Sequence, residues 1–198
     1  MSLNTRPIIT VFGTSKAVEG DAVFTLAVEA GRALAAAGFD IANGGYGGTM
    51  LASAQGAAQA GARVFGVTCK AFRRGKANAF VSTELTTENL DQRLKKLVEI
   101  GNGYLVLPGG TGTLLELAYV WEHKHKRFET ADKPIVVMRD FWRPLVAMIE
   151  QADPACKDCL AVAEDAAQAA EYLKRSLIST ESRYPTGMII PRAKEARG

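Results

Sequence analysis

Tyr104-Leu105-Val106-Leu107-Pro108-Gly109-Gly110-Thr111-Gly112-Thr113-Leu114-Leu115-Glu116 is the stretch on which the fold turns. Its first four residues are apolar and β-prone, and they predict a buried strand. Leu114 to Lys126 predicts a helix. Four of the six residues from 108 to 113 are Gly or Pro, and two threonines complete the turn. A strand that passes through a glycine turn into a helix is half of a βαβ unit.

The same rhythm extends in both directions. Strands are predicted at 8–12, 39–42, 63–68, 80–85, 134–138 and 160–163. Helices are predicted at 21–37, 49–60, 89–100, 143–151 and 165–177. The alternation predicts an α/β, Rossmann-like, doubly wound and mostly parallel sheet with helices on both faces. No linker or internal repeat interrupts it, so residues 1–198 are expected to form one domain, with 182–198 a loosely ordered tail. Ligands of such sheets bind beyond the carboxyl ends of the strands. Three loops rich in Gly, Ser or Thr fall there: Gly13-Thr14-Ser15, residues 43–49 with Gly44, Gly45 and Gly48, and residues 108–113. Tight turning explains one such loop comfortably and three less well.

Composition narrows the function classes. Apolar residues are 47 % and charged residues 23 % of the chain, a globular balance that argues against disorder. The net charge of +3 suits an anionic ligand, but much of it lies in the tail at Arg183, Arg192, Lys194 and Arg197, so nucleic acid is not the expected partner. No apolar run predicts a membrane span and no signal peptide is legible. Three sparse cysteines point to a reducing compartment, and a cytoplasmic location is expected.

The loop at Pro108, Gly109, Gly110, Thr111, Gly112 and Thr113 opens directly onto a helix. Helix N-termini present unpaired N–H groups and partial positive charge, which favours phosphate. Neither a Gly-x-Gly-x-x-Gly fingerprint nor a Walker lysine is present, so neither NAD nor ATP is expected.

Two charged residues stand where charge is out of place. Glu116 is the only charged side chain between Glu99 and Glu122. Thr113-x-x-Glu116 fits a capping box, and an active-site acid fits equally well. On the helix at 89–100, Arg93 falls at about −60° from Leu90, between Leu97 and Ile100. It therefore points into the apolar arc. It either snorkels along the helix edge or aims its guanidinium at a buried anion, Glu116 or a phosphate.

Pro108-Gly109-Gly110-Thr111-Gly112-Thr113-Leu114-Leu115-Glu116 resembles the Pro-Gly-Gly-x-Gly-Thr-x-x-Glu signature of the LOG (Lonely Guy) family. Arg93 stands at that family's spacing before the signature. Gly13-Thr14-Ser15 resembles its first loop, and Gly44 to Met50 its second, a glycine run ending near a methionine. The likeness covers most of residues 8 to 140. Leu94, Asp91, Phe12 and Leu115 depart from the pattern, standing where the family has lysine, histidine, cysteine and a second glutamate. The resemblance implies a Rossmann-like homodimer that hydrolyses the N-glycosidic bond of nucleoside 5′-monophosphates to free base and ribose 5-phosphate. The phosphate would sit on 109–113, with Ser15 and the Gly44–Gly48 loop closing the other side. Glu116 would act on the ribose, and Arg93 would hold it ionised, lowering its pKa. The resemblance calls for no cofactor or metal, and nothing in the sequence invokes pyridoxal phosphate.

Two other readings share the glycine loops. One is a non-catalytic carrier of a nucleotide or of molybdenum cofactor. The other is a DNA-handling protein, which the modest charge disfavours. Cys156-x-x-Cys159 falls short of the four ligands of structural zinc and reads as chance or as a solvent-exposed pair. His123 and His125 do not share a helix face and read as a solvated, basic helix end. Lys70 to Lys76, with Arg73 and Arg74, reads as a mobile surface loop.

Overall fold

The structure, a computed structural model, describes residues 6–72 and 75–183. Seven strands form one sheet: β1 (Ile8–Phe12), β2 (Asp40–Asn43), β3 (Val64–Cys69), β4 (Thr83–Thr87), β5 (Gly103–Val106), β6 (Ile135–Met138) and β7 (Ala161–Ala163). Their order is β4-β3-β2-β1-β5-β6-β7, and every pairing is parallel. The sheet is thus wholly rather than mostly parallel. Parallel strands need crossovers, and here these are α1 (Ala22–Ala36), α2 (Thr49–Gln59), α3 (Leu90–Ile100), α4 (Thr111–His125) and α5 (Arg139–Ala152), with α6 (Ala166–Arg183) closing the chain.

The helices divide between the two faces. Ile9, Val11, Ile41 and Val64 meet α1, α2 and α6 through Leu34, Ala57 and Leu173. Phe12, Val67, Tyr104, Val106 and Val137 meet α3, α4 and α5 through Leu97, Leu117, Val120 and Val146. Strands covered on both sides read as continuous apolar runs, which is why β1, β5 and β6 were legible.

Four elements differ from expectation by more than one residue. β4 begins at Thr83 rather than 80, because Phe80 and Val81 tuck against the α1–α2 core while the β-branched threonines pair with β3. α4 begins at Thr111, three residues early: the Leu114 amide already donates to Gly110 O at 2.9 Å. α5 begins at Arg139 with Pro144 inside it, its first turn anchored by Trp142 Nε1 donating to Leu107 O at 3.1 Å. α6 runs to Arg183, so residues 182 and 183 are helical rather than tail. The rest of the expected tail, and Arg73 and Arg74 of the expected mobile loop, lie outside the described residues. No helix among the described residues is long and apolar enough to cross a membrane.

β1 is the switch point of this topology. The chain winds outward to β4 on one side, then returns to pair β5 against the other side of β1. The loops after β1 and β5 therefore diverge and leave a crevice between them.

Candidate functional site

That crevice is a cleft of about 680 Å³, a size suited to a small ligand. The first loop, the α2 start, α3 and the α4 start all line it. Residues 80 and more apart in sequence are thus gathered by the strand order alone.

The α4 end supplies the amides. Gly110 is the N-cap, and among the described residues no side chain caps this terminus. The N–H groups of Thr111, Gly112 and Thr113 precede the first intrahelical bond, and all three residues line the cleft. Thr111 and Gly112 are exposed, whereas Thr113 is buried. This disposes of the capping box. Thr113 lies within the helix, not at its cap, and Glu116 sits in the second turn.

Glu116 faces the cleft with 15 % of its side chain exposed. Its Oε1 lies 3.8 Å from Arg93 Nη1. Burial pushes its pKa up to about 7, and Arg93 pulls it down only in part. The expectation that Arg93 would lower this pKa on balance is therefore overturned. At 3.8 Å the pair lacks the short hydrogen bonds that would repay taking the carboxylate out of water.

Arg93 does not snorkel. It is 7 % exposed and belongs to the buried face of α3, with Leu94, Leu97 and Val98. Its Nε donates to Val67 O at 2.8 Å, and Nη2 approaches Met50 Sδ at 3.9 Å. The guanidinium carbon lies 5.9 Å from the Tyr46 ring centroid and 5.3 Å from that of Phe72. Gly44 lies directly against it: a Cβ there would overlap the guanidinium and Met50 Sδ. The second glycine loop thus makes room for the arginine.

The remaining expected residues divide into those that line the cleft and those that shape it. Gly13, Thr14, Ser15 and Met50 line it. Gly48 (φ 68°) does not; it packs beneath the first loop, where a Cβ would strike Thr14 O. Thr14 O in turn accepts from Thr49 N at 2.9 Å and Thr49 Oγ1 at 3.0 Å. Gly45 packs on Gly66, and Gly109 against the Thr113 side chain. Pro108, Gly109, Gly44, Gly45 and Gly48 are thus not among the cleft-lining residues.

Several lining residues escaped the sequence. Lys16 is an exposed cation at the cleft, one residue beyond the first loop. Tyr46 and Phe72 form an aromatic wall beside Arg93. Tyr46 is fixed by its hydroxyl, which accepts from Cys69 N at 2.8 Å and reaches Cys69 O at 3.1 Å. Asn43 is buried below. Its amide donates to Met50 O at 2.9 Å and Ser53 Oγ at 3.1 Å, and its Oδ1 accepts from Gly45 N at 2.8 Å. An Asn ending an apolar strand before a glycine run was the available signal.

Beyond the cleft, two surface assignments change: the histidines end a basic last turn as expected but are not fully solvated, and the cysteines are not a solvent-exposed pair. His123 stacks on Tyr119 and bonds Thr130 Oγ1 at 3.1 Å, and His125 is 9 % exposed. Cys156 is buried and Cys159 partly so. The segment after α4 and the 3-10 turn Pro154–Cys156 cover that helix end.

The family model described as "Possible lysine decarboxylase" matches residues 50–173. A cytokinin riboside 5′-monophosphate phosphoribohydrolase of Rhodococcoides fascians is 32 % identical over 160 residues, covering 77 % of this chain and 80 % of that protein. Another so named, from Mycobacterium tuberculosis, is 34 % identical over 119 residues, covering 59 % and 62 %. Among solved structures, the molybdenum cofactor carrier protein of Chlamydomonas reinhardtii aligns with a TM-score of 0.71 at 24 % identity, over 87 % of this chain and 99 % of that one. That last likeness is one of fold.

Proposed function

The chain belongs to the LOG-type family that the "Possible lysine decarboxylase" model describes, and from that premise we propose that it hydrolyses nucleoside 5′-monophosphates to free base and ribose 5-phosphate. The observation that carries this reading is the convergence, in one cleft, of the uncapped α4 amides with Glu116 and Arg93.

The geometry supports the following roles. The 5′-phosphate binds the N–H groups of Thr111, Gly112 and Thr113, where the helix dipole favours negative charge. Ser15 and Lys16 complete its surround from the first loop. Cleaving the N-glycosidic bond builds positive charge on the ribose ring. Glu116 lies one turn inward from the phosphate amides, and its carboxylate stabilises that charge or orients the attacking water. Arg93 keeps part of the Glu116 population ionised near neutral pH. Gly44 and Asn43 are positioning residues: one admits the guanidinium, the other fixes the loop. The same reading extends to a cytoplasmic homodimer.

The test is incubation with a panel of nucleoside monophosphates, scored for free base. Turnover is expected from the native chain and is lost in Glu116→Ala and Arg93→Ala variants that stay folded. Thermal stabilisation by the same nucleotides without base release would instead make the protein a carrier.

A further inference from the structure

We propose that His125, Asp153 and Cys156 form a binding site for a zinc-type divalent metal ion, at the end of α4 remote from the cleft. A ring nitrogen of His125, a carboxylate oxygen and the thiol sulfur all lie within 4.8 Å of one another. Metal–ligand distances of about 2.0–2.3 Å place the donors of a tetrahedral zinc roughly 3.5 Å apart. His125 Nε2 and Asp153 Oδ2 already stand at 3.5 Å.

The supporting contacts are those of a metal ligand set. His125 Nδ1 lies 3.3 Å from the carbonyl oxygen of Ala155, which can only accept, so Nδ1 carries the proton of that contact. In the neutral ring this leaves the Nε2 lone pair facing a carboxylate, an arrangement that a bound cation satisfies. Backbone carbonyls orient metal-bound histidines in this way. Asp153 Oδ1 accepts from Ala155 N at 3.2 Å, which leaves Oδ2 to the ring side. Cys156 follows three residues after Asp153, one turn of a 3-10 helix, and Cys156 N donates to Asp153 O at 3.0 Å. The turn therefore presents both donors to the end of α4.

The donor chemistry selects the metal. One nitrogen, one sulfur and one oxygen suit zinc or cobalt, not calcium or magnesium. Binding deprotonates Cys156 and releases that proton to solvent. Asp153 has 51 % of its side chain exposed, so water can take the fourth position. The ion would tie α4 to the turn preceding β7. His125 lies nine positions after Glu116, about 14 Å along the helix axis. The site is therefore separate from the cleft, and its readout does not depend on turnover.

The full chain, stripped with a chelator, is titrated with Co²⁺, whose visible d–d bands report tetrahedral thiolate coordination. One equivalent should saturate the bands, Zn²⁺ should displace it, and Zn²⁺ should raise the melting temperature. Cys156→Ser and His125→Gln should each weaken binding at least tenfold, and Cys159→Ser should leave it intact. The native titration decides the matter even where a variant fails to fold. No saturable binding at one equivalent overturns the proposal. So does binding lost in Cys159→Ser but kept in His125→Gln, which would mark a dithiol site instead.

Discussion

Arg93 Nη1 stands 3.8 Å from Glu116 Oε1, beyond hydrogen-bond range, and the carboxyl is pushed up to about 7 because its burial outweighs the neighbouring cation. Near neutral pH the acid is thus divided between its two forms. The charged partner tunes that division.

If the carboxylate is the working form, base release should rise with pH along an acid limb centred near 7. Arg93→Gln removes the influence that lowers the pKa, so any residual activity should show this limb displaced to higher pH. A kcat/KM profile from pH 5 to 9 checks both. A limb left in place by Arg93→Gln would mean that another group sets it.

The same shift makes a stability statement. Glu116 ionises at about 7 in the fold against 4.5 for an ordinary glutamate, so its contribution is fully present below 4.5 and lost as pH rises through 7. Glu116→Gln should therefore melt higher than the native chain at pH 8, with no such gain at pH 4. At roughly 1.4 kcal/mol per pKa unit the gain has a ceiling of about 3.5 kcal/mol, and the loss of a partner for Arg93 reduces it. Calorimetry at the two pH values measures it. Activity should fall while stability rises, as where a site is strained for function.

Gly44→Ala should displace the guanidinium, since the new methyl overlaps Arg93 and Met50. The expected cost is about 1–3 kcal/mol of stability from overpacking. Turnover should fall at least tenfold, well beyond what that modest unfolding explains. Chemical denaturation and steady-state kinetics on one preparation separate the two effects.

Thr111→Pro tests the amide cradle. Thr111 is the first residue of α4, where proline is well tolerated, yet the substitution deletes one N–H. Inhibition by inorganic phosphate should weaken and KM should rise, with the melting temperature held or raised. Thr111→Ala, which loses the hydroxyl but keeps the amide, should have a smaller effect. Equal effects would assign the phosphate contact to the hydroxyl.

The sequence carried the fold because its inner strands are covered on both faces. Ile8–Phe12 and Ile135–Met138 are nearly uninterrupted apolar runs. β4 was displaced because an edge strand of threonines has a weaker apolar signature than the Phe80-Val81 pair beside it. At the site, Arg93 and Glu116 were legible as charges in apolar surroundings. Their distance was not, and the balance of burial against attraction depends on that distance. Tyr46 and Phe72 stayed hidden because their roles are contacts with residues far along the chain, Cys69 and Arg93. The capping box misled because Gly110 starts the helix before Thr113 can.

The pairing of β1 with β5 joins Ile9 to Gly103, 94 positions onward. A nascent chain emerging from the ribosome holds the first two glycine turns, and even Arg93, well before this register can close. Until then no ligand can stabilise the product of synthesis, for the opposite wall does not yet exist. Closure across so long a separation is slow. Added nucleotide should accordingly slow unfolding of the finished protein far more than it speeds refolding from denaturant.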